Sequence, residues 1–343
     1  MRKCWHFFNF NPMRNIAILL ALLVTLSACN TDGKRKLDVD TDEIDLAPVE
    51  IKRYEKALFA IDPDSLQPKL KAIAGEYPVF LGADLDDTLN IIQLHQFVTN
   101  PLNQKLYDSV MARYPDLGFL EDAMTRAFKR FKYHFPERPL PDVFTYVSGL
   151  LYELPVQFFN DDMIIALDMY MGPGLEEYRR MRIPLYRIEK MDRDYIFRDA
   201  VYEMYYYYFS EKPGKDFLQL MINKGKHLYF LDAMMPETPD HIKIGYPEEK
   251  LEWCNSNETN IWSFIIQNDL LYSSDANINR KFFVDGPFTS DFSSDSPARL
   301  GEWVGWQVVR SYMNKNTDVS LQQLFDNQDA QDILKKSGYK PGR

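Results

Sequence analysis

The chain has 343 residues, with 40 lysines and arginines against 50 aspartates and glutamates, and a formal net charge of −10 at pH 7. An acidic surface of this kind disfavours binding to nucleic acid and to anionic lipid. Hydrophobic residues make up 45% of the chain and aromatic residues 14%, which is typical of a well-packed globular domain. A domain of this size can be stabilised by its hydrophobic core and needs no disulfides.

The first 28 residues are predicted to be a lipoprotein signal peptide that ends directly before Cys29. Arg14 supplies a basic start, residues 16–26 are an apolar run, and Leu26-Ser27-Ala28-Cys29 forms a small-residue cleavage site, as in secretory signals. The apolar run is too short to cross a bilayer, which needs about 20 residues. A cysteine directly after Leu-Ser-Ala resembles the bacterial lipobox, so we expect lipidation of Cys29. The alternative is an ordinary signal peptide with a cysteine nearby.

Cleavage would leave an anchored domain on an acidic spacer. Residues 1–28 contain three basic and no acidic side chains, so the remaining 315 residues would carry a net charge of −13. Residues 29–49 are rich in aspartate and poor in apolar side chains, which predicts a flexible tether. Residues 50–343 are expected to form one globular domain. Asn30 follows the cysteine where an inner-membrane retention signal would have Asp, which favours the outer membrane, with the domain facing the periplasm.

Helical patterns begin directly after the predicted tether. Ile51, Tyr54, Leu58 and Phe59 recur at near-helical spacing, which predicts a helix over residues 51–59. Prolines interrupt helices, and further helices are predicted between them at residues 65–77, 88–99, 103–114 and 119–133.

The pattern changes after Pro141 to short segments rich in β-branched and aromatic residues, which is typical of strands. The predicted strands are residues 143–147, 156–159 and 163–167, with a hairpin turn at residues 160–162. Helical patterns then return at residues 195–210, 215–235, 247–254, 258–272, 297–314 and 320–327. We therefore expect an α+β fold that is mainly α-helical, with a small central sheet.

Common catalytic and metal-binding motifs are missing from the sequence. It has no histidine pair at i and i+4, no cysteine pair with metal-ligand spacing, and no phosphate-binding glycine loop or serine elbow. His95, His134, His227 and His241 are scattered, as hydrogen-bonding histidines usually are. We therefore predict no catalytic residue, no metal and no cofactor.

One predicted helix nevertheless resembles the frame of a zinc peptidase. In His-Glu-x-x-His helices, two imidazoles one turn apart bind zinc and the glutamate is the general base. Here Glu203 stands at the base position, Tyr202 and Tyr206 stand at the ligand positions, and Glu258 follows on a later predicted helix. Tyrosine is a poor zinc ligand at neutral pH, because its pKa is near 10. The segment is therefore either a degenerate active-site frame or an aromatic helix buried in the core. A third possibility is that its tyrosines line a pocket for sugar or peptide.

Two glycines mark the last long helix. Ser296 and Pro297 are suited to its start, and Gly301 and Gly305 lie one turn apart within it. Glycine inside a helix is less favourable than alanine by about 1 kcal/mol, so another interaction must compensate. We predict that a second backbone packs closely against this face; the alternative is a ligand contact.

Four stretches of the chain resemble the gliding motility lipoprotein B (GldB) family of the Bacteroidetes. They are the lipobox, residues 51–59, residues 225–232, and the run from Asp285-Gly286-Pro287-Phe288-Thr289 to Tyr312, which continues into residues 337–341. Trp253-Cys254, Asn257-Glu258 and Trp262 also fit. The resemblance spans essentially the whole chain after the signal peptide.

The resemblance implies a lipid-anchored cell-envelope protein that serves gliding motility and protein secretion through contacts with other envelope proteins. It also implies a distant similarity to zincin-like peptidases, whose histidine ligands this sequence lacks. The leading hypothesis is therefore a non-catalytic component. The competing hypothesis is a peptidase or cell-wall hydrolase that uses Glu203 and Glu258.

Overall fold

A small mixed β-sheet is formed by strands from the first half of the chain. The computed structural model describes Leu37, residues 39–209 and residues 214–342. The strands are β1 (Ile51–Arg53), β2 (Val143–Tyr146), β3 (Val156–Phe159) and β4 (Asp162–Ala166), in the order β1-β2-β4-β3. β1 and β4 each pair with β2 in parallel, and β3 pairs with β4 in antiparallel fashion.

The three strands predicted after Pro141 and their hairpin turn are confirmed. Asn160 and Asp161 join β3 to β4 with φ angles of +48° and +69°, which asparagine and aspartate tolerate better than most residues. The predicted helix over residues 51–59 is partly wrong, because Ile51 pairs with Val143 and the helix begins only at Tyr54.

Helices make up most of the remaining structure, as predicted. In chain order they are α1 (Tyr54–Phe59), α2 (Leu66–Ile73), α3 (Pro78–Leu81), α4 (Thr88–Thr99), α5 (Pro101–Arg113), α6 (Gly118–His134), α7 (Glu176–Arg180), α8 (Leu185–Ile188), α9 (Arg193–Tyr208), α10 (Phe217–Met234), α11 (Asp240–Ile244), α12 (Glu248–Gln267), α13 (Ala276–Phe283), α14 (Leu300–Lys315), α15 (Leu321–Asp326) and α16 (Ala330–Ser337). The two helices predicted at residues 247–254 and 258–272 are one continuous helix, α12. No helix among the described residues is long and apolar enough to cross a membrane.

The segment before the sheet is tied to α6. Residues 39–50 form no helix or strand and are mostly exposed. The Val49 N–H donates to Thr125 Oγ1 at 2.9 Å, and the Ile51 N–H donates to Glu121 Oε1 at 3.0 Å. The chain is therefore held from Val49 onward. The predicted signal peptide, Cys29 and the first part of the tether lie outside the described residues.

Helices α10 and α14 pack against each other at two glycines. A Cβ atom on Gly305 would overlap with the carbonyl oxygen of Met221, and one on Gly225 would overlap with the carbonyl oxygen of Gly305. The prediction that a second backbone approaches Gly305 is confirmed. At Gly301 the neighbour is instead a side chain, the ring of Phe283. Most side chains of both helices are buried, including Trp303 and Trp306, so this crossing lies within the hydrophobic core.

Gly305→Ala is expected to destabilise the protein by about 3 kcal/mol or more, because the new methyl group must force two helix backbones apart in a close-packed core. Urea unfolding followed by circular dichroism measures the effect. Gly174→Ala is the matched control, since a Cβ there meets no atom within 4 Å. Equal stability of the two variants would contradict the close approach.

Candidate functional site

A pocket of about 770 Å³ lies where four short segments meet. This volume is within the range of small-molecule and peptide sites. Its walls are aromatic, prolyl and charged side chains of residues 185–190, 245–250, 285–287 and 297–299, together with Tyr195. Two of these segments belong to the run from Asp285 to Tyr312 that the sequence singles out.

A chain of ion pairs forms the base of the pocket. Lys190 Nζ donates to Asp285 Oδ2 at 2.7 Å, and Arg299 Nε lies 3.2 Å from Asp285 Oδ1. On its far side Arg299 donates from Nη1 to Glu302 Oε2 at 2.9 Å. Arg299 and Glu302 are buried, whereas the side chains of Lys190 and Asp285 are 24% and 29% exposed. The last two can therefore be reached from the pocket.

Local backbone conformation positions this network. Arg299 precedes α14 in the left-handed region, with φ of +58°, and its Nη2 donates to the carbonyl oxygen of Ile244 at 2.7 Å. That carbonyl ends α11, where Gly245 has φ of +70°. A Cβ on Gly245 would lie 3.3 Å from Lys190 Cδ. The guanidinium thus joins the end of one helix to the start of another.

The pKa values of both Lys190 and Asp285 are lowered in this network. Burial, followed by the positive charge of Arg299, lowers the pKa of Lys190 to about 8. Burial acts to raise the pKa of Asp285, but Arg299 and Lys190 outweigh it and hold that pKa below its usual value. A lysine with a lowered pKa in a cleft is typical of a functional site.

A second cluster lies along α14 and is built around Asp232. Its Oδ1 accepts from Lys243 Nζ at 2.9 Å and from Arg310 Nη2 at 2.7 Å, and its Oδ2 accepts from Trp306 Nε1 at 2.8 Å. Arg310 also donates to Asp240 and lies 3.7 Å above the Trp306 ring. Together with the bond from Arg310 Nε to Oδ2 at 2.7 Å, four hydrogen bonds to Asp232 join α10 to α11 and α14, so this cluster is structural.

The predicted tyrosine positions of the zinc-peptidase frame pack around a histidine. The ring of Tyr202 lies 3.8 Å and that of Tyr206 4.6 Å from the ring of His227. His227 Nε2 is 3.2 Å from the carbonyl oxygen of Tyr202, and burial holds the pKa of His227 well below its usual value. The Tyr206 hydroxyl accepts from Lys224 Nζ at 2.5 Å. These contacts fit the aromatic-core interpretation of the segment.

Glu203 and Glu258 occupy different surroundings. Burial, followed by the nearby Asp199, raises the pKa of Glu203 to about 7. Glu258 lies on α12, where its Oε1 accepts from the Tyr339 hydroxyl at 2.7 Å. The hydrogen bond of Glu258 is thus made with the C-terminal segment, whereas the charged groups that act on Glu203, Asp199 and Arg198, lie on its own helix. No group of three or more His, Cys, Asp or Glu residues suited to a metal ion occurs in the described part of the chain.

The frame nevertheless lies close to the pocket base. The Arg198 guanidinium lies 4.2 Å from the centre of the Tyr202 ring, and its charge also lowers the pKa of Lys190. The charge of Glu302 contributes, after burial, to raising the pKa of the Tyr202 phenol. Helix α9 also contributes Tyr195 to the pocket lining, so the frame and the pocket share this helix.

Sequence reasoning missed Lys190, as it missed the other lining residues at 185–189 and 245–250. Lys190 lies in a segment where the sequence predicts no element, between the short helix α8 and α9. The Asp285-Gly286-Pro287 and Ser296 to Glu302 stretches could have indicated half of the pocket, because they carry the family resemblance. Nothing in the local pattern connects them to Lys190.

The fold and the pocket define a mainly helical α+β domain with a charged, aromatic-lined cavity. A family model described as gliding motility protein GldB matches residues 34–341, and the chain belongs to this family. The resemblance stated from the sequence is confirmed, and it associates the protein with gliding motility. Comparisons with curated proteins and with solved structures give no match.

Glu203→Gln is expected to stabilise the protein at pH 8 and to have little effect near pH 4. The folded-state pKa of Glu203 is about 7 against a reference value of 4.5, so the stability contributed by its protonated form is lost as the pH rises through 7. A neutral glutamine avoids this loss, which is worth about 1 to 2 kcal/mol. Urea unfolding at both pH values measures it.

The matched control is Glu176→Gln, which removes an exposed carboxylate paired with Arg180. Its stability should follow that of the unmodified protein at both pH values. A gain in Glu203→Gln that does not change with pH would contradict the raised pKa.

Proposed function

We propose that this protein is a lipid-anchored component of the cell envelope that serves the gliding motility and protein secretion machinery by binding other envelope proteins. The observation that carries the proposal is the convergence of the family-resembling stretches. Residues 225–232 and 296–312 pack together along α10 and α14, and Asp285 and Arg299 form the base of the pocket. A preformed pocket built from these stretches supports a role in recognition.

The anchor is proposed to be Cys29. A diacylglyceryl cysteine with an N-acyl group carries three chains, and two or more chains bind a membrane stably. Residues 29–49, with six acidic and three basic side chains, would then separate the domain from the lipid surface. We place the protein at the outer membrane, facing the periplasm, because Asn30 follows the cysteine.

Cys29→Ala is expected to release the protein from the membrane fraction, because the acyl chains can no longer be attached. Palmitate labelling and fractionation after an alkaline wash measure the loss. Cys4→Ala, which changes a cysteine of the predicted signal peptide, should leave membrane attachment unchanged. A Cys29→Ala protein that stays on washed membranes would overturn the anchor.

The alternative is a zincin-like hydrolase that uses Glu203 and Glu258. The raised pKa of Glu203, near 7, favours it, since a general acid or base works best at such a value. Two observations count against it. Glu258 is bonded to Tyr339, and Tyr202 and Tyr206 pack on His227, so these residues have structural partners.

Elemental analysis of the purified protein distinguishes the two functions. We expect no stoichiometric zinc, because tyrosines stand at the ligand positions. One zinc ion per chain, together with peptide hydrolysis that Glu203→Gln abolishes while the zinc is retained, would establish the hydrolase instead.

A further inference from the structure

Two lysines line the pocket: Lys250, whose Nζ donates to the backbone carbonyl oxygen of Asp295 at 2.8 Å, and Lys190 at its base. An ammonium group has three N–H donors, and the partner of Lys190 Nζ is one carboxylate oxygen, Asp285 Oδ2. The other oxygen of Asp285 faces Arg299 at 3.2 Å and the Gly286 N–H at 3.2 Å. Asp285 is thus shared between two cations and a backbone amide.

Arg299 does not compete for a ligand in the pocket. It is buried, and its Nη1 and Nη2 donate to Glu302 and to the carbonyl oxygen of Ile244. Its positive charge nevertheless acts on Lys190, as does that of Arg198. Arg198 and Arg299 are paired with Asp199 and Glu302, so an anion in the pocket would be held mainly by the remaining N–H donors of Lys190 rather than by a surplus of positive charge.

The rest of the pocket limits the kind of anion. Glu189 and Glu249 also line it, so a multiply charged anion such as a phosphate would be repelled at the rim. Tyr186, Tyr195 and Tyr246 supply aromatic walls, and the Tyr246 ring is held in place because its hydroxyl donates to the Ala298 carbonyl at 2.6 Å. Aromatic walls beside a few charged side chains are typical of peptide recognition.

We propose that the pocket binds a peptide segment of a partner protein through a single carboxylate, which accepts hydrogen bonds from Lys190 Nζ while neighbouring apolar side chains pack on the tyrosine walls. This inference rests on the proposed function, since it names the chemistry of the partner. Leu185, 67% exposed and part of the lining, extends the apolar contact surface at the pocket mouth.

Two libraries of displayed random heptapeptides test the proposal against the detergent-solubilised full chain. One library presents a free α-carboxylate and the other presents only side-chain carboxylates, so the comparison identifies the source of the anion. Synthetic versions of the selected peptides are expected to lose about tenfold or more in affinity when the carboxylate is converted to an amide, because a hydrogen bond to a charged group is lost.

Variants of Lys190 locate the binding site. Lys190→Met keeps the length of the side chain, leaves Asp285 paired with Arg299, and should lower the affinity by a similar factor. Lys281→Met is the matched control, since Lys281 pairs with Asp291 and does not line the pocket, and it should bind normally. Thermal unfolding of both variants verifies that they are folded.

The pH dependence separates a direct contact from a structural effect. The affinity should fall as the pH rises through about 8, because Lys190 loses its proton there. Tyr186, Tyr195, Tyr246, Glu189, Glu249 and Lys250 also face the pocket, so Lys190→Arg is the deciding variant. An arginine stays protonated, and binding should persist to about pH 9.5.

The proposal is overturned if the selections yield no peptide that prefers the unmodified protein to Lys190→Met, or if the selected peptides tolerate loss of their carboxylate. It is also overturned if Lys190→Arg shows the same pH dependence as the unmodified protein. These results are independent of membrane attachment, so failure of the Cys29 anchor would leave the pocket proposal standing, and the reverse also holds.

Discussion

The contact between two helix backbones at Gly225 and Gly305 is the constraint on which the C-terminal half depends. Side chains at either position would separate α10 from α14. Close contact brings Asp232 of α10 within hydrogen-bond distance of Trp306 and Arg310 on α14. A buried carboxylate must be paired to be tolerated, so the glycine contact and the Asp232 cluster require each other.

Helix α14 also determines the position of Arg299 at the base of the pocket. Arg299 lies one residue before α14, and its guanidinium bonds to the end of α11 and to Glu302. The position of the pocket base relative to Lys190 is therefore determined by how α14 packs in the core, two turns away from the glycine contact. A binding site mounted on a rigid helix start keeps its geometry without its ligand.

Sequence patterns correctly predicted the helices and turns that depend mainly on interactions between neighbouring residues. Residues 88–99 form a helix with the predicted bounds, and the Asn160-Asp161 turn requires a backbone conformation that these two residues adopt readily. Strand β1 was missed because three residues become a strand only by pairing with Val143, more than 90 positions later. Half of the pocket was indicated by Asp285 and Arg299, but Lys190 joins them only through tertiary packing. Glu203 and Glu258 shared a sequence frame, and their observed partners are different.

The attachment of residues 49–51 has a mechanical consequence. If the chain is held at Cys29, tension along the tether first reaches the described domain at Val49 and Ile51. There it meets two hydrogen bonds to α6 and the parallel pairing of β1 with β2. A load applied along an edge strand is resisted by several bonds at once rather than one after another. The domain would therefore bear tension along its tether at the sheet, away from the segments that line the pocket.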